Sequence, residues 1–358
     1  MKHFFINKTK LSIILASCVM FLFAGCEEND EGDPNDQAVV EKGKSVFVIN
    51  EGAFQNENSS LGYIDKTTGE IHDDLFFDIN DRLLGDVFQS MEITNEEAYL
   101  VINNSGVIEV INPETIELLS TISGFDSPRY MLPVDETTAY VSDMLAEKIW
   151  IVDLDDHTIE SEIEFPGGWS ESMIVADGNV FVTAPNANKI YIIDPSSNDI
   201  IDNIDVFAQP TSMVTDDNGT LWVISEGLLD WETGEQVEVG GITAINTQTM
   251  KATETYSFPE DGMSYSNLAI NKTNQKLYYI GGGIWSFDIE GQELPTEPLI
   301  QNEGETFYGI DICPQTGDLY ATDAIDFNQQ GKVIQYTSEG DKVDSFDAGI
   351  VPSGFVFY

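Results

Sequence analysis

Short apolar runs of five or six residues, each carrying an aromatic and bounded by polar turn residues, recur along almost the whole chain. They read VFVIN from Val46, AYLVIN from Ala98, AYVSD from Ala139, VFVTA from Val180, LWVIS from Leu221, LYYIG from Leu277 and LYATD from Leu319. The aromatics Phe47, Tyr99, Tyr140, Phe181, Trp222, Tyr278 and Tyr320 are spaced by 52, 41, 41, 41, 56 and 42 residues. A period of about 40 to 45 residues is that of a propeller blade, so seven copies predict an all-β, seven-bladed β-propeller over residues 46–358. Each unit reads as four β-branched or aromatic-rich strands bounded by turn residues, in the third unit residues 130–134, 139–142, 148–153 and 158–163. The connections, such as Asp135-Glu136-Thr137, Asp194-Pro195-Ser196-Ser197 and Asp216-Asp217-Asn218-Gly219, read as turn chemistry. They lack the alternating ligands and terminal glutamate of a calcium loop.

Most repeats begin with a segment like Ser127-Pro128-Arg129-Tyr130 or Gln209-Pro210-Thr211-Ser212, and the first repeat lacks one. Residues 351–358 have the missing character, so the C-terminal strand is expected to be the innermost strand of the first blade, closing the ring and hiding two sheet edges. The two long spacings predict insertions of about 11 and 15 residues in the first and fifth blades, carrying Phe54 and Trp231.

The start of the chain has a different character. Lys2, Lys8 and Lys10 precede an apolar run over residues 11–23, too short to span a bilayer, which needs roughly 20 residues. Residues 1–25 read as a secretory signal. The run ends in Leu22-Phe23-Ala24-Gly25-Cys26, which resembles a lipobox with Cys26 as the lipidated residue. Residues 26–45 are acidic and poor in large apolar side chains, as expected of a disordered tether. Within them Glu27, Glu28, Asp30 and Glu31 resemble the surface-export signal of Bacteroidetes-type lipoproteins. Of three cysteines, Cys18 leaves with the signal and Cys26 takes the lipid, so Cys313 has no disulfide partner and reads as a buried small hydrophobe. With 63 acidic residues against 15 Lys and Arg, the net charge is −48. That excludes nucleic acid as a partner and fits a strongly solvated surface.

In a propeller, the loops leading into the innermost strands and those joining second to third strands meet around one mouth of the channel, and loops carry function. The residues expected to bind a ligand there are Phe54, Gln89, Asn103, Arg129, Tyr130, Asp143, Trp169, Asn186, Trp231, Tyr265 and Tyr308. Flat aromatics beside neutral amides and hydroxyls suit a large amphipathic molecule or a protein loop. Catalysis is weakly signalled. His72 and His157 lie among acids in turns and are expected to be solvated. No nucleophile elbow, phosphate loop or zinc spacing occurs. A pair of close carboxylates among so many acids stays open.

The strings Asn50-Glu51-Gly52, Gly85-Asp86-Val87-Phe88-Gln89-Ser90-Met91, Asn103-Asn104-Ser105-Gly106, Ser127-Pro128-Arg129-Tyr130-Met131 and Ala139-Tyr140-Val141-Ser142-Asp143 resemble the YncE-like surface lipoprotein propellers of Bacteroidetes. The best understood of these bind cobalamin and related corrinoids at the cell surface, over a TonB-dependent transporter. The resemblance implies a monomeric propeller anchored to the outer membrane by lipid alone. It further implies a corrinoid as ligand rather than a resident cofactor or metal, and an outer-membrane TonB-dependent transporter as partner. A protein-binding scaffold is the second reading and a propeller enzyme using carboxylates the third.

Overall fold

The computed structural model describes residues 40–358 except 231, 261 and 274. The expected signal, Cys26, the expected tether up to residue 39, and Trp231 lie outside the described residues. The described chain is nearly all β, and its main sheets form seven blades in chain order. The seven sequence repeats are the second strands of the blades, from Ser45–Asn50 in the first to Leu319–Asp323 in the seventh. Their aromatics are at most 4 % exposed. These strands are covered by neighbouring blades on both faces, and such a strand reads as a continuous apolar run rather than an alternation. Fourth strands such as Thr158–Glu164 and Asp199–Asp205 are largely exposed. The pairing of third and fourth strands shifts register in five blades, for example between Ile151 and Val152. Acidic side chains and a bulge together blunt an outer edge against pairing with another chain.

The ring closes as expected. Pro352–Phe357 pairs antiparallel with Ser45–Asn50 as the innermost strand of the first blade, placing Val48 opposite Phe355. Ser45 and Tyr358 exchange backbone hydrogen bonds of 3.1 and 3.0 Å. Gly309, on the innermost strand of the seventh blade, makes this closure sterically feasible: a Cβ there would stand 2.0 Å from the carbonyl oxygen of Ser353. The chain already packs on the propeller at Val40, which is buried and whose N–H donates to the Glu114 carbonyl of the second blade at 3.2 Å.

Three features depart from the sequence expectation. The sixth blade has three strands, Ser266–Asn271, Lys276–Ile280 and Ile284–Asp288, and the position of a fourth is met only by a bridge between Ile284 and Ile300. Pro295 and Pro298 interrupt the intervening segment, and proline cannot donate to a ladder. The first-blade insertion includes a helix, Leu75–Asn80, capped by Asp74 and burying Leu75 and Phe76; six residues are too few to show a helical period. His157 is not solvated. It is half-buried at φ 52°, its Nε2 2.8 Å from a Glu97 carboxylate oxygen and its ring edge-on to Tyr99 of the second blade.

The fifth-blade insertion forms a small hairpin, Leu228–Leu229 with Gln236–Glu238. The aspartate turns are occupied by their own backbone: Asp135, Asp194 and Asp216 accept from the N–H groups of Thr137, Ser196 and Asn218 at 2.8–2.9 Å. Cys313 is buried.

Candidate functional site at the channel mouth

The innermost strands repeat a second pattern, in which a buried residue is followed by a polar one that faces the channel. The polar residues are Gln89, Arg129, Glu171, Thr211, Asn267, Tyr308 and Ser353, one from each blade, and all seven line a single cavity of about 350 Å³. Of the residues preceding them, Phe88, Ser170 and Phe307 are at most 9 % exposed. Register breaks at this point, between Phe88 and Ser90, Pro128 and Met131, Pro210 and Ser212, Ser266 and Leu268, and Phe307 and Ile310. A bulge of this kind re-aims a side chain, here into the channel. Val87, Gln209 and Val351, just ahead of three such strands, turn through positive φ of 53–64°.

Arg129 is the electrostatic centre of the cavity. Its Nε and Nη2 donate to the two carboxylate oxygens of Glu171 at 2.8 and 2.7 Å, and its Nη1 donates to the Gln89 amide oxygen. The Trp169 indole N–H donates to the same Glu171 carboxylate. Burial would lower the Arg129 pKa, but the charge and hydrogen bonds of Glu171 outweigh it and hold the guanidinium above its ordinary value. Tyr130 beside it is held protonated above the ordinary tyrosine range by burial and by the Glu171 charge.

Two further carboxylates share the mouth. Glu51 and Glu226 each follow directly on the second strand of their blades, the first and the fifth. Glu51 accepts from the Tyr308 hydroxyl at 3.2 Å. Burial pushes its carboxyl up to about 7, against the opposing pull of Arg129. Glu226 accepts from Thr211 at 2.9 Å and Ser264 at 3.2 Å and is also raised by burial. A second cavity of about 300 Å³ adjoins the first and shares Glu51, Gln89, Arg129 and Tyr308 with it; Phe54, Asn103 and Phe327 complete its wall. The mouth thus joins a polar well to an aromatic shelf.

Of the residues expected to bind a ligand, Gln89, Arg129, Tyr130, Trp169 and Tyr308 meet in the well, and Phe54 and Asn103 lie on the shelf. Phe54 is 63 % exposed, whereas Asn103 is buried, its amide donating to Ser127 and to the Pro128 carbonyl at 2.9 Å. Asp143 is fully buried and braces two loops: its carboxylate accepts the N–H groups of Asp126, Ser127, Leu145 and Ala146 and the Trp150 indole N–H. Tyr265 is core, stacked 4.2 Å from Phe258, and it is its neighbour Ser266 that faces the channel. Asn186 is exposed on a 3-10 turn, Pro185–Ala187, away from both cavities. Glu171, Glu226, Ser172, Ser212, Asn267 and Ser353 escaped sequence reasoning. The polar position repeated at the head of each innermost strand could have found Glu171, Asn267 and Ser353. Among the described residues no cluster of three or more His, Cys, Asp or Glu is placed to hold a metal ion.

Solved structures with this architecture are numerous. A quinonprotein alcohol dehydrogenase-like protein from Bacteroides thetaiotaomicron VPI-5482 is 15 % identical, with a TM-score of 0.64 over 88 % of this chain and 78 % of its own. A putative 6-phosphogluconolactonase from Bacteroides uniformis ATCC 8492 is 14 % identical, with a TM-score of 0.65 over 87 % of this chain and 98 % of its own. A streptogramin B lyase is 12 % identical, with a TM-score of 0.55 over 74 % and 85 %. At these identities the likeness is one of fold. No curated protein matches the chain in sequence. Residues 44–357 match the family described as Domain of unknown function (DUF5074), and the chain belongs to that family.

Proposed function

We propose that this protein captures a small molecule at the mouth of its channel, while displayed on the bacterial outer membrane by a lipid on Cys26, and hands it to a TonB-dependent transporter. One observation carries the reading. Side chains from all seven blades converge on one cavity, mixing amide, hydroxyl, carboxylate and guanidinium groups with Tyr130, Trp169 and Tyr308. Polar groups that orient, beside aromatics that supply contact area, are the usual make-up of a ligand site. The lipid anchor, surface display and transporter rest on the sequence alone, as does the nomination of a corrinoid. A corrinoid is larger than the 350 Å³ well, so it would lie across well and shelf together.

Calorimetric titration of cyanocobalamin into the domain from Lys44 onward tests the nomination. Binding weakened at least tenfold by Trp169→Ala or Tyr130→Ala supports it, and absence of heat at micromolar protein and ligand sinks it. Enzymatic readings suggested by dehydrogenase-like or lactonase-like neighbours receive little support from the mouth. Its one cation among the described residues, Arg129, is already paired with Glu171, and Glu51 and Glu226 disfavour a phosphorylated sugar. The domain is therefore expected to leave 6-phosphogluconolactone at its spontaneous hydrolysis rate.

A further inference from the structure

The shelf has a composition of its own, distinct from the rest of the mouth. Glu51 stands at the junction of well and shelf, and around it are Phe54, Tyr308 and Phe327. Tyr308 donates its hydroxyl to Glu51 and packs edge-on against Phe327, with ring centroids 5.3 Å apart. Phe54 and Phe327 are 63 % and 42 % exposed, although both are large apolar side chains. The Phe54 loop is held in place: the Gln55 N–H donates to the Asp86 carboxylate at 3.0 Å and the Ala53 N–H to Asn58 at 2.8 Å. The exposed ring is therefore presented rather than loose.

Charge accounting says what this shelf would attract. Arg129, the cation lining the shelf, is engaged by both oxygens of Glu171 and by Gln89, so its charge is matched locally. Glu51 makes no ion pair among the described residues and feels Arg129 only through space. It accepts a hydrogen bond from a neutral phenol, that of Tyr308, and its burial is costly enough to raise its carboxyl to about 7. A carboxylate short of positive charge, walled by three aromatic rings, is the complement of an organic cation: the ring faces attract it and the carboxylate completes the charge.

We infer that the shelf formed by Glu51, Phe54, Tyr308 and Phe327 is a subsite for the ammonium group of a small soluble organic cation. This rests on the mouth being a small-molecule site, and it goes beyond that reading by naming a ligand class that does not depend on a corrinoid. The cation favours ionised Glu51, so in the pH range where free Glu51 holds its proton, binding releases that proton. The charged and titratable groups facing Glu51 are Arg129, Tyr130, Glu171 and Tyr308. Arg129 and Tyr308 are held protonated well above neutrality.

The test titrates choline chloride into the domain from Lys44 onward by calorimetry, with its neutral isostere 3,3-dimethylbutan-1-ol as control. Choline is expected to bind at least tenfold more tightly than the alcohol, and more tightly at pH 8 than at pH 5.5. Glu51→Gln should remove the preference. Phe54→Ala, a change at an exposed ring that leaves folding intact, should weaken choline at least threefold. Equal affinity for choline and the alcohol, or choline binding unchanged in Phe54→Ala, overturns the inference. Vesicles of phosphatidylcholine that bind the domain while free choline does not would assign the ammonium to a lipid headgroup and also overturn it. Cyanocobalamin binding without choline binding would refute the subsite and leave the capture reading standing. Failure of both ligands would refute both.

Discussion

Replacing Arg129 by methionine probes the charge balance on which the mouth is built. Methionine keeps much of the aliphatic length but leaves Glu171, whose side chain is 4 % exposed, with two charge-assisted hydrogen bonds removed. Breaking a buried pair from one side typically costs about 3–5 kcal/mol, since the remaining charge is left without compensation. For a domain of this size each kcal/mol lowers the melting temperature by roughly 2 °C, so Arg129→Met is expected to melt about 6–10 °C below wild type. The pair as such is worth less than this. Adding Glu171→Gln to Arg129→Met removes the orphaned charge and should recover most of the loss, giving a large coupling in the double-mutant cycle. Scanning calorimetry at pH 8 measures all four proteins. A single variant within about 1 °C of wild type, or a double variant less stable than the single, would refute the assignment of Glu171 as a charge neutralised by Arg129.

Four further outcomes follow from the geometry. Burial lifts Glu51 from the ordinary 4.5 to about 7, so the folded chain holds this proton more tightly than the unfolded chain. Its contribution is greatest below about pH 4.5 and is lost as pH rises through 7, on the order of 3 kcal/mol in all; urea unfolding of Glu51→Gln at pH 5 and pH 8 should show a correspondingly smaller loss than wild type. Glu92, also raised to about 7 by burial, contributes with the same sign, so Glu92→Gln should flatten the same pH dependence further. Removing residues 351–358 deletes the innermost strand of the first blade and should abolish the cooperative melting transition, and Gly309→Ala, which drives a Cβ into the Ser353 carbonyl, should lower the melting temperature by several degrees.

The fold was legible because one strand per blade is buried on both faces, and such strands must be apolar along their whole length. That constraint makes VFVIN and its six counterparts stand out from the chain. The helix Leu75–Asn80 and the missing outer strand of the sixth blade were not legible, since both depend on what their neighbours leave uncovered. The site was half legible. Arg129, Tyr130, Trp169 and Tyr308 stand out as unusual residues in loops, but side chains alternate in direction along a strand, so a shift of one position separates core from channel. Tyr265 and Ser266 show the consequence: the conspicuous tyrosine is buried, and the plain serine one position on lines the cavity. Glu171 was hidden for a related reason, because nothing in Ser170-Glu171-Ser172 marks a buried carboxylate until Arg129 of the preceding blade is brought against it.

The central claim is that this protein meets its ligand at the channel mouth. Ser266 lines that cavity without a large side chain, so Ser266→Trp should fill it while leaving the blades intact. Native mass spectrometry of the domain after exposure to growth medium gives the direct comparison. Wild type is expected to carry a small-molecule adduct that Ser266→Trp, melting at the same temperature, has lost; an adduct retained at the wild-type level in the plugged variant would place the ligand elsewhere.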